Sequence, residues 1–576
     1  MGLIDLLSRF VDYLVPLLAI ALAVYLLRRY LFSNRQGDAL IRACRENDLQ
    51  AVHVALRNRP DLEFSPPPRQ NTALIISVLL NNLAIVTTLL AAGAKVEARD
   101  EEGRTSLILA AQKGWVDIVQ ALLARGADPT AKSYDGWTAL IMACYSGHTE
   151  IVHILLARCA DVKWRNKQGM NALAIAVGQH HQPSGRMKII KMLLSNDAKV
   201  DSRTLSGWTS LIKAAYGGHD DVIQLLLVSG ADINATAKNG FTALIAASQN
   251  GWIDSVMLLL EKGADVNAKT IDGSTALIAA CNGGYTEVVE QLISHGADLK
   301  VDYKNGATAL MAATVPGHKD VAFYLIDQGV DINSANGEGW TALLVAVDRG
   351  RFGIASRLLA QGCNPNHTAK NGWTCLMSAC RHGYEDIVDL LFSYGAECNV
   401  AQVDGWSPLL IAASCGWMGI VRKLVQRGGD AGGAAALVDG YSVYAGARES
   451  GQEVEDKAGK VEKEKEKEKE KEKEHVPTPL VAACSFGYTE IAVFLIAKGA
   501  NKKSLDAMNR GCMEIAMSLR QLDLILALAD AGFTASGWLN GLRLHWVVLK
   551  GRVRRALGWR YSSNEVVHDG GKEKTE

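Results

Sequence analysis

The stretch DGWTALIMACYSGHTEIVHILLARCADV, Asp135 to Val162, decides how the whole chain is read. Asp135-Gly136 is a turn pair, and Thr138 stands where a helix N-cap belongs, ahead of apolar residues at helical spacing. Gly147 ends that run. Glu150 then opens a second one, with Ile151, Val152, Leu155 and Leu156 in an I-V-x-x-L-L pattern and an acid at the positive end of the helix dipole. Trp137 is the oddity, a large ring between turn and helix, where the chain meets water.

Outward from this unit, Gly-x-Thr-Ala-Leu recurs from Gly136, Gly240, Gly273 and Gly306, and the period is 33 residues. The anchoring glycines are Gly103, Gly136, Gly169, Gly207, Gly240, Gly273, Gly306, Gly339, Gly372 and Gly405, with five extra residues between Gly169 and Gly207, in the stretch QHHQPSGR. Thr138, Thr242, Thr275 and Thr341 are placed to cap a first helix, and Leu140, Leu244, Leu277 and Leu343 fall on its buried side. Asp221 and Glu287 repeat the placement of Glu150 in a second helix. No single unit can bury its apolar face, so neighbours must cover one another.

This pattern resembles the ankyrin repeat, over roughly residues 38 to 532 apart from one insert, with about 11 to 13 repeats. The resemblance implies an all-α solenoid of helix-turn-helix units joined by β-hairpin loops. It departs from the family where Thr-Pro-Leu-His reads Thr-Ala-Leu-Ile, which removes a histidine that ties repeats together and leaves apolar packing to substitute. The segment DALIRACRENDLQAVHVALRNRPD, from Asp38, reads as a weaker unit that caps the array.

Composition excludes more than it proposes. Lys plus Arg equals Asp plus Glu at 61 each, so the 576-residue chain has no overall bias toward nucleic acid. The eleven cysteines are scattered and never spaced C-x-x-C, which suggests neither zinc nor a disulfide framework and fits a reducing compartment. Cys144, Cys281, Cys380 and Cys484 share one helix position and read as small core residues. His148, His219 and His318 follow a glycine between helices and read as structural; His180-His181 reads as part of a loop. No phosphate loop, zincin or nucleophile-elbow motif occurs, so no catalytic, metal or cofactor site and no small-molecule substrate is expected.

Three segments stand outside the array, which is expected over 37–427 and 477–532. Residues 428–476 form an insert ending in a Lys-Glu alternation that has nothing apolar to bury. It reads as a solvated tether, with a polyelectrolyte docking segment as the alternative. Within residues 1–36, Tyr13 to Leu27 is an uninterrupted apolar run. Its 15 residues cover about 22 Å as a helix, against roughly 30 Å of hydrocarbon, so a single span needs Phe10, Val11 and the Tyr30–Phe32 end as well. Arg28, Arg29 and Arg35 outweigh Arg9 and place the repeats on the cytosolic side. The rivals are a cleaved signal peptide, against which Asp5 and Asp12 count, and a buried helix. Residues 533–576 include a basic aromatic segment, with Trp538, Trp546, Arg552, Arg554 and Arg555, that reads as a cap on the last repeat or as a membrane-surface helix.

The residue after each turn glycine answers the question of Trp137. In ankyrin-like stacks that position belongs to a concave surface made of hairpin tips and first helices. Here it holds Trp137, Trp208, Phe241, Trp340, Trp373 and Trp406, and the exposed end of the first helix adds Tyr145, Tyr216, Arg349, Arg381 and His382. Such residues suit protein recognition; the competing reading is that each ring lies on the neighbouring hairpin and stiffens the stack. Ser274 and Ala307 interrupt the stripe and divide it into a Trp/Tyr part and a Trp/Arg part. The expected function is a membrane-anchored adaptor that holds one or more proteins beside a bilayer, at the endoplasmic reticulum or the mitochondrial outer membrane. The alternatives are a regulatory, non-catalytic subunit of an enzyme or transporter complex, and a soluble binding protein with a buried N-terminal helix.

Overall fold

The computed structural model describes residues 35–65, 71–178, 183–300, 302–400, 402, 404–430, 477–501 and 510–533. The apolar run Tyr13–Leu27, the pair His180-His181, the Lys-Glu alternation and the basic C-terminal segment lie outside them. Among the described residues no helix is long and apolar enough to cross a membrane. The chain forms two compact units, one up to Asp298 and one from Leu299.

In the first unit, the helix pair from Asp135–Val162 sets the pattern. Thr138, with extended backbone, accepts the Ile141 N–H at 3.2 Å and opens the helix Ala139–Ser146; Gly147, in the left-handed region, closes it. Glu150 lies in the first turn of the following helix, Thr149–Ala157. The same construction recurs at Thr209, Thr242 and Thr275, with Asn171 replacing threonine in the irregular repeat. The second unit repeats it from Thr308 to Thr374, and Ser407 and Thr478 cap helices that begin with Pro408 and Pro479. Adjacent first helices pack side by side, as do adjacent second helices. Their contact surface is the core: Leu140, Leu244, Leu277 and Leu343 are buried, as are Cys144, Cys281, Cys380 and Cys484. Burial pushes the Cys144, Cys281 and Cys380 thiols well above the usual range, and a hydrogen bond with Cys512 together with burial does the same for Cys484, so these cysteines are inert apolar fillers rather than thiolates.

Isoleucine replaces the family's histidine without a gap, since Ile141, Ile212, Ile245 and Ile278 are buried. Two ladders of hydrogen bonds tie the repeats together instead. At the hairpin tips of the first unit, Lys167 N–H donates to Asp135 O at 3.0 Å, Leu205 to Gln168 at 3.1 Å, Lys238 to Ser206 at 3.0 Å and Ile271 to Asn239 at 2.9 Å. Near the end of each repeat a polar side chain accepts the next repeat's N–H: Glu97 from Asp128 at 2.8 Å, Asn234 from Asp265 at 2.9 Å, Asn267 from Asp298 at 2.8 Å. In the second unit Lys370 donates to Glu338 O at 3.0 Å, and Asn366 accepts from Glu397 at 2.8 Å. Backbone and short side chains thus supply what the absent imidazole would.

The expected β-hairpin loops need correction. Only Asp302–Tyr303 and Ala307–Thr308 pair as strands among the described residues, with isolated bridges at Arg99/Thr105, Ala335/Thr341 and Thr368/Thr374. Elsewhere two backbone bonds close the tip, such as Ser133 N–H to the Trp137 carbonyl and Gly136 N–H to the Ser133 carbonyl, both at 2.9 Å, and only the first joins the two arms. The arms are too short for a ladder because the chain enters the N-cap one residue after the aromatic position. The irregular repeat spends part of its extra length on its second helix, Pro183–Ser195, which has 13 residues where Thr149–Ala157 has 9.

Across the insert the stacking continues. Helix Pro479–Phe486 packs on Pro408–Cys415, and Thr489–Ala497 on Met418–Asp430, as consecutive repeats do elsewhere. The last pair, Cys512–Ser518 and Leu522–Asp530, opens on Gly511, which has no side chain to cap it.

Candidate protein-binding face

In the first unit the post-glycine residues Trp137, Trp208 and Phe241 are all half-buried. The Trp137 ring meets Tyr145 edge-on at 5.5 Å, with both residues on the same repeat. Trp208 makes the same contact with Tyr216 at 5.5 Å, and stacks on Phe241 of the next repeat at 5.8 Å and 20°. Tyr145 and Tyr216 remain 43 % and 47 % exposed. Each pair is therefore fixed by its neighbour on one side and open to solvent on the other. Fixed rings lose little entropy on meeting a partner, so the stacking role and a binding role are compatible.

Met170 holds the equivalent place between Trp137 and Trp208, in the irregular repeat. Sequence reading passed over it because it is not aromatic; its position after Gly169 was the available signal. The Lys213 ammonium reaches it, 3.5 Å from Sδ and 3.1 Å from the Ala174 carbonyl. Desolvation holds that ammonium below the usual lysine range.

In the second unit Trp340, Trp373 and Trp406 are half-buried, and Arg349 and Arg381 exposed. Trp373 is wired in: its Nε1–H donates to Ser378 Oγ at 3.0 Å, and Ser378 donates to Asp348 Oδ1 at 3.0 Å. His382 Nε2 lies 3.3 Å from the same carboxylate oxygen, and Arg349 Nε 3.7 Å from Oδ2. Arg381 stands 5.9 Å from the Trp373 ring centroid. The serine hydroxyl points at the aspartate and not at the histidine, so this cluster orients an indole and does not assemble a nucleophile. Among the described residues no group of three His, Cys, Asp or Glu side chains could hold a metal ion.

A second aromatic row, missed in the sequence, runs along the turns between helices. Here the residue after the second glycine of one repeat lies over the equivalent glycine of the repeat before it. His148 lies over Gly114, Trp252 over Gly218 and Tyr285 over Gly251; in the second unit Tyr384 lies over Gly350, Trp417 over Gly383 and Tyr488 over Gly416. Several of these side chains also bond a carbonyl of the covered repeat: His148 to Gln112 O at 3.2 Å, Trp252 to Tyr216 O at 3.0 Å, Trp417 to Arg381 O at 3.3 Å. His148 is thus structural, as its spacing implied. The missed signal was the glycine-aromatic pair recurring with the repeat.

The model of ankyrin repeats in three copies matches residues 40–133, 107–204, 182–270, 267–336 and 328–402, and that of the single ankyrin repeat matches 404–432 and 478–510. The chain belongs to the ankyrin-repeat family. No curated protein matches it. Among solved structures, the crystal structure of the human ASB11 ankyrin repeat domain is 28 % identical; the match covers 38 % of this chain and 98 % of that one, with a TM-score of 0.36. Ankyrin arrays are interaction modules for other proteins, typically without catalysis of their own, and the fold alone does not say which protein is bound.

Proposed function

We propose that this protein is a membrane-anchored ankyrin-repeat adaptor. It holds partner proteins on the face of the first unit that carries Trp137, Tyr145, Trp208, Tyr216 and Phe241 and on the face of the second that carries Trp340, Arg349, Trp373, Arg381 and Trp406. The observation that carries the reading is that these rings are held half-open by their neighbours, which gives rigid, amphipathic contact area at small entropic cost. Anchoring rests on the apolar run Tyr13–Leu27 and the arginines behind it, which turn the repeats to the cytosol. The endoplasmic reticulum and the mitochondrial outer membrane both suit so short a span.

Proximity labelling from the repeat end of the full chain tests the binding half. Trp340→Ala with Trp373→Ala is expected to lose the labelled neighbours and also several kcal/mol of stability, because both rings are half-buried and Trp373 gives up a hydrogen bond worth about 1 kcal/mol, whereas Trp252→Ala, which removes a comparable ring outside the proposed face, keeps the labelled neighbours. Unchanged labelling beside a large loss of stability would mean that the rings only stiffen the stack. For the anchor, carbonate extraction should leave the protein in the membrane pellet; release into the soluble fraction defeats it.

A further inference from the structure

Lys213 is out of keeping with its surroundings. The fourth residue past each N-cap faces the neighbouring first helix, and in the first unit it is Ile76, Leu109, Met142, Ile175, Lys213, Ala246 and Ala279. Five of the six apolar members are buried, and the sixth, Ala279, is half-buried. A lysine there forfeits hydration for one carbonyl, Ala174 O at 3.1 Å, and one weak sulfur acceptor, Met170 Sδ at 3.5 Å. An ammonium has three donors, and no carboxylate pairs with this one among the described residues. On the first helices the charge is one-sided, while the acids of the unit's tips, such as Asp135 against Lys167 at 3.4 Å, lie outside them. The first helices Ala73–Leu79, Ser106–Lys113, Ala139–Ser146, Ala172–Val177, Ser210–Tyr216, Ala243–Asn250 and Ala276–Gly283 contain no Asp or Glu, and their only cations are Lys113 and Lys213. At the tips, Arg104 is already engaged by Asp100 at 2.8 Å and Glu102 at 2.9 Å. The second unit differs, since Asp348 on its own first helix answers the cations beside it.

We infer that the first unit's face recognises an extended acidic peptide segment, with one partner carboxylate seated on Lys213 at Met170 and flanking apolar side chains lying on Trp137 and on the Trp208/Phe241 stack. This rests on the reading above that the face binds a partner, and adds its chemistry. The ammonium is half-buried against Met170 and Ala174 and short of acceptors, so a charge-assisted bond there is worth more than one on open surface.

The test pans a phage-displayed random peptide library on the full chain. Selected peptides should share an Asp or Glu at fixed spacing from aromatic or aliphatic residues. A synthetic peptide of the best sequence should bind Lys213→Met roughly ten-fold or more weakly, the expectation for one charged hydrogen bond. Changing the peptide's acid to its amide should cost the same on the parent and nothing further on Lys213→Met, while Lys213→Arg keeps the acidic preference. Should Lys213→Met fail to fold, the amide peptide on the parent and Lys213→Arg still decide. Winners with no shared acid, or an amide peptide that binds the parent equally well, overturn the inference and leave the adaptor reading standing. No winners, or winners that bind Trp137→Ala with Trp208→Ala undiminished, overturn that reading itself.

Discussion

Gly240→Ala should cost the first unit about 3 kcal/mol, while Gly263→Ala, at nearly the same φ, should cost about 1 kcal/mol. Both glycines have positive φ, +82° and +86°. At Gly263 a Cβ would meet nothing within 4 Å, so only the left-handed strain is felt. At Gly240 it would stand 2.8 Å from Thr270 Cα and 3.0 Å from Lys269 O, which are backbone atoms that cannot turn aside. The next tip must move away, and the Ile271 N–H to Asn239 O bond of 2.9 Å goes with it. In a stack whose units lean only on their neighbours such a loss stays local. Denaturation by urea should therefore show a lower midpoint and a shallower slope, as the repeats on either side of residue 240 part company, and amide exchange should rise on both sides of that tip. Equal losses for the two variants would show that tip contact does not require the glycine.

That distinction marks how far the sequence could be read. Gly240 was legible as a repeat anchor, and Thr242 behind it as a cap, because turn and cap chemistry are local. The closeness of Gly240 to Thr270 was not, since it depends on how one tip lies on the next. Apolar periodicity gave the core correctly down to Leu244 and Cys281, and the break in the stripe at Ser274 and Ala307 falls on either side of the point where the two units part. The hairpins were over-read: the family form implies strands, and most arms here are one bond long. Of the candidate face, the rings were found by position, yet their pairing was hidden. Trp208 stacks on Phe241 33 residues away, and Lys213 crosses to Met170 at a separation of 43 residues. The irregular repeat breaks the period at that point, so no spacing rule could have joined the lysine to the methionine.

The turn-side aromatic row carries the other large effect. Trp252 follows Gly251 and takes the N-cap place of the helix Ile253–Glu261, but no side-chain cap bond is made there. Its ring instead covers Gly218 of the preceding repeat, and its Nε1–H donates at 3.0 Å to the Tyr216 carbonyl, which also accepts from Asn250 Nδ2 at 2.9 Å. Trp252 is 44 % exposed, so roughly 100–140 Å² of ring is covered, worth about 3 kcal/mol. Trp252→Ala should lose about that much, and the loss should appear as faster amide exchange in the repeats on both sides of the turn. Trp252→His should recover part of it, because His148 fills the same place over Gly114 and bonds Gln112 O at 3.2 Å. Peptide selection on Trp252→Ala should meanwhile return the same sequences as the parent chain, because among the described residues Trp252 bonds the backbone of Tyr216 and stacks on none of the Trp137, Trp208 and Phe241 rings that the peptide would lie on. Altered selection with undiminished stability would reverse the assignment, making the turn-side row the recognition surface and the tip-side rings the brace.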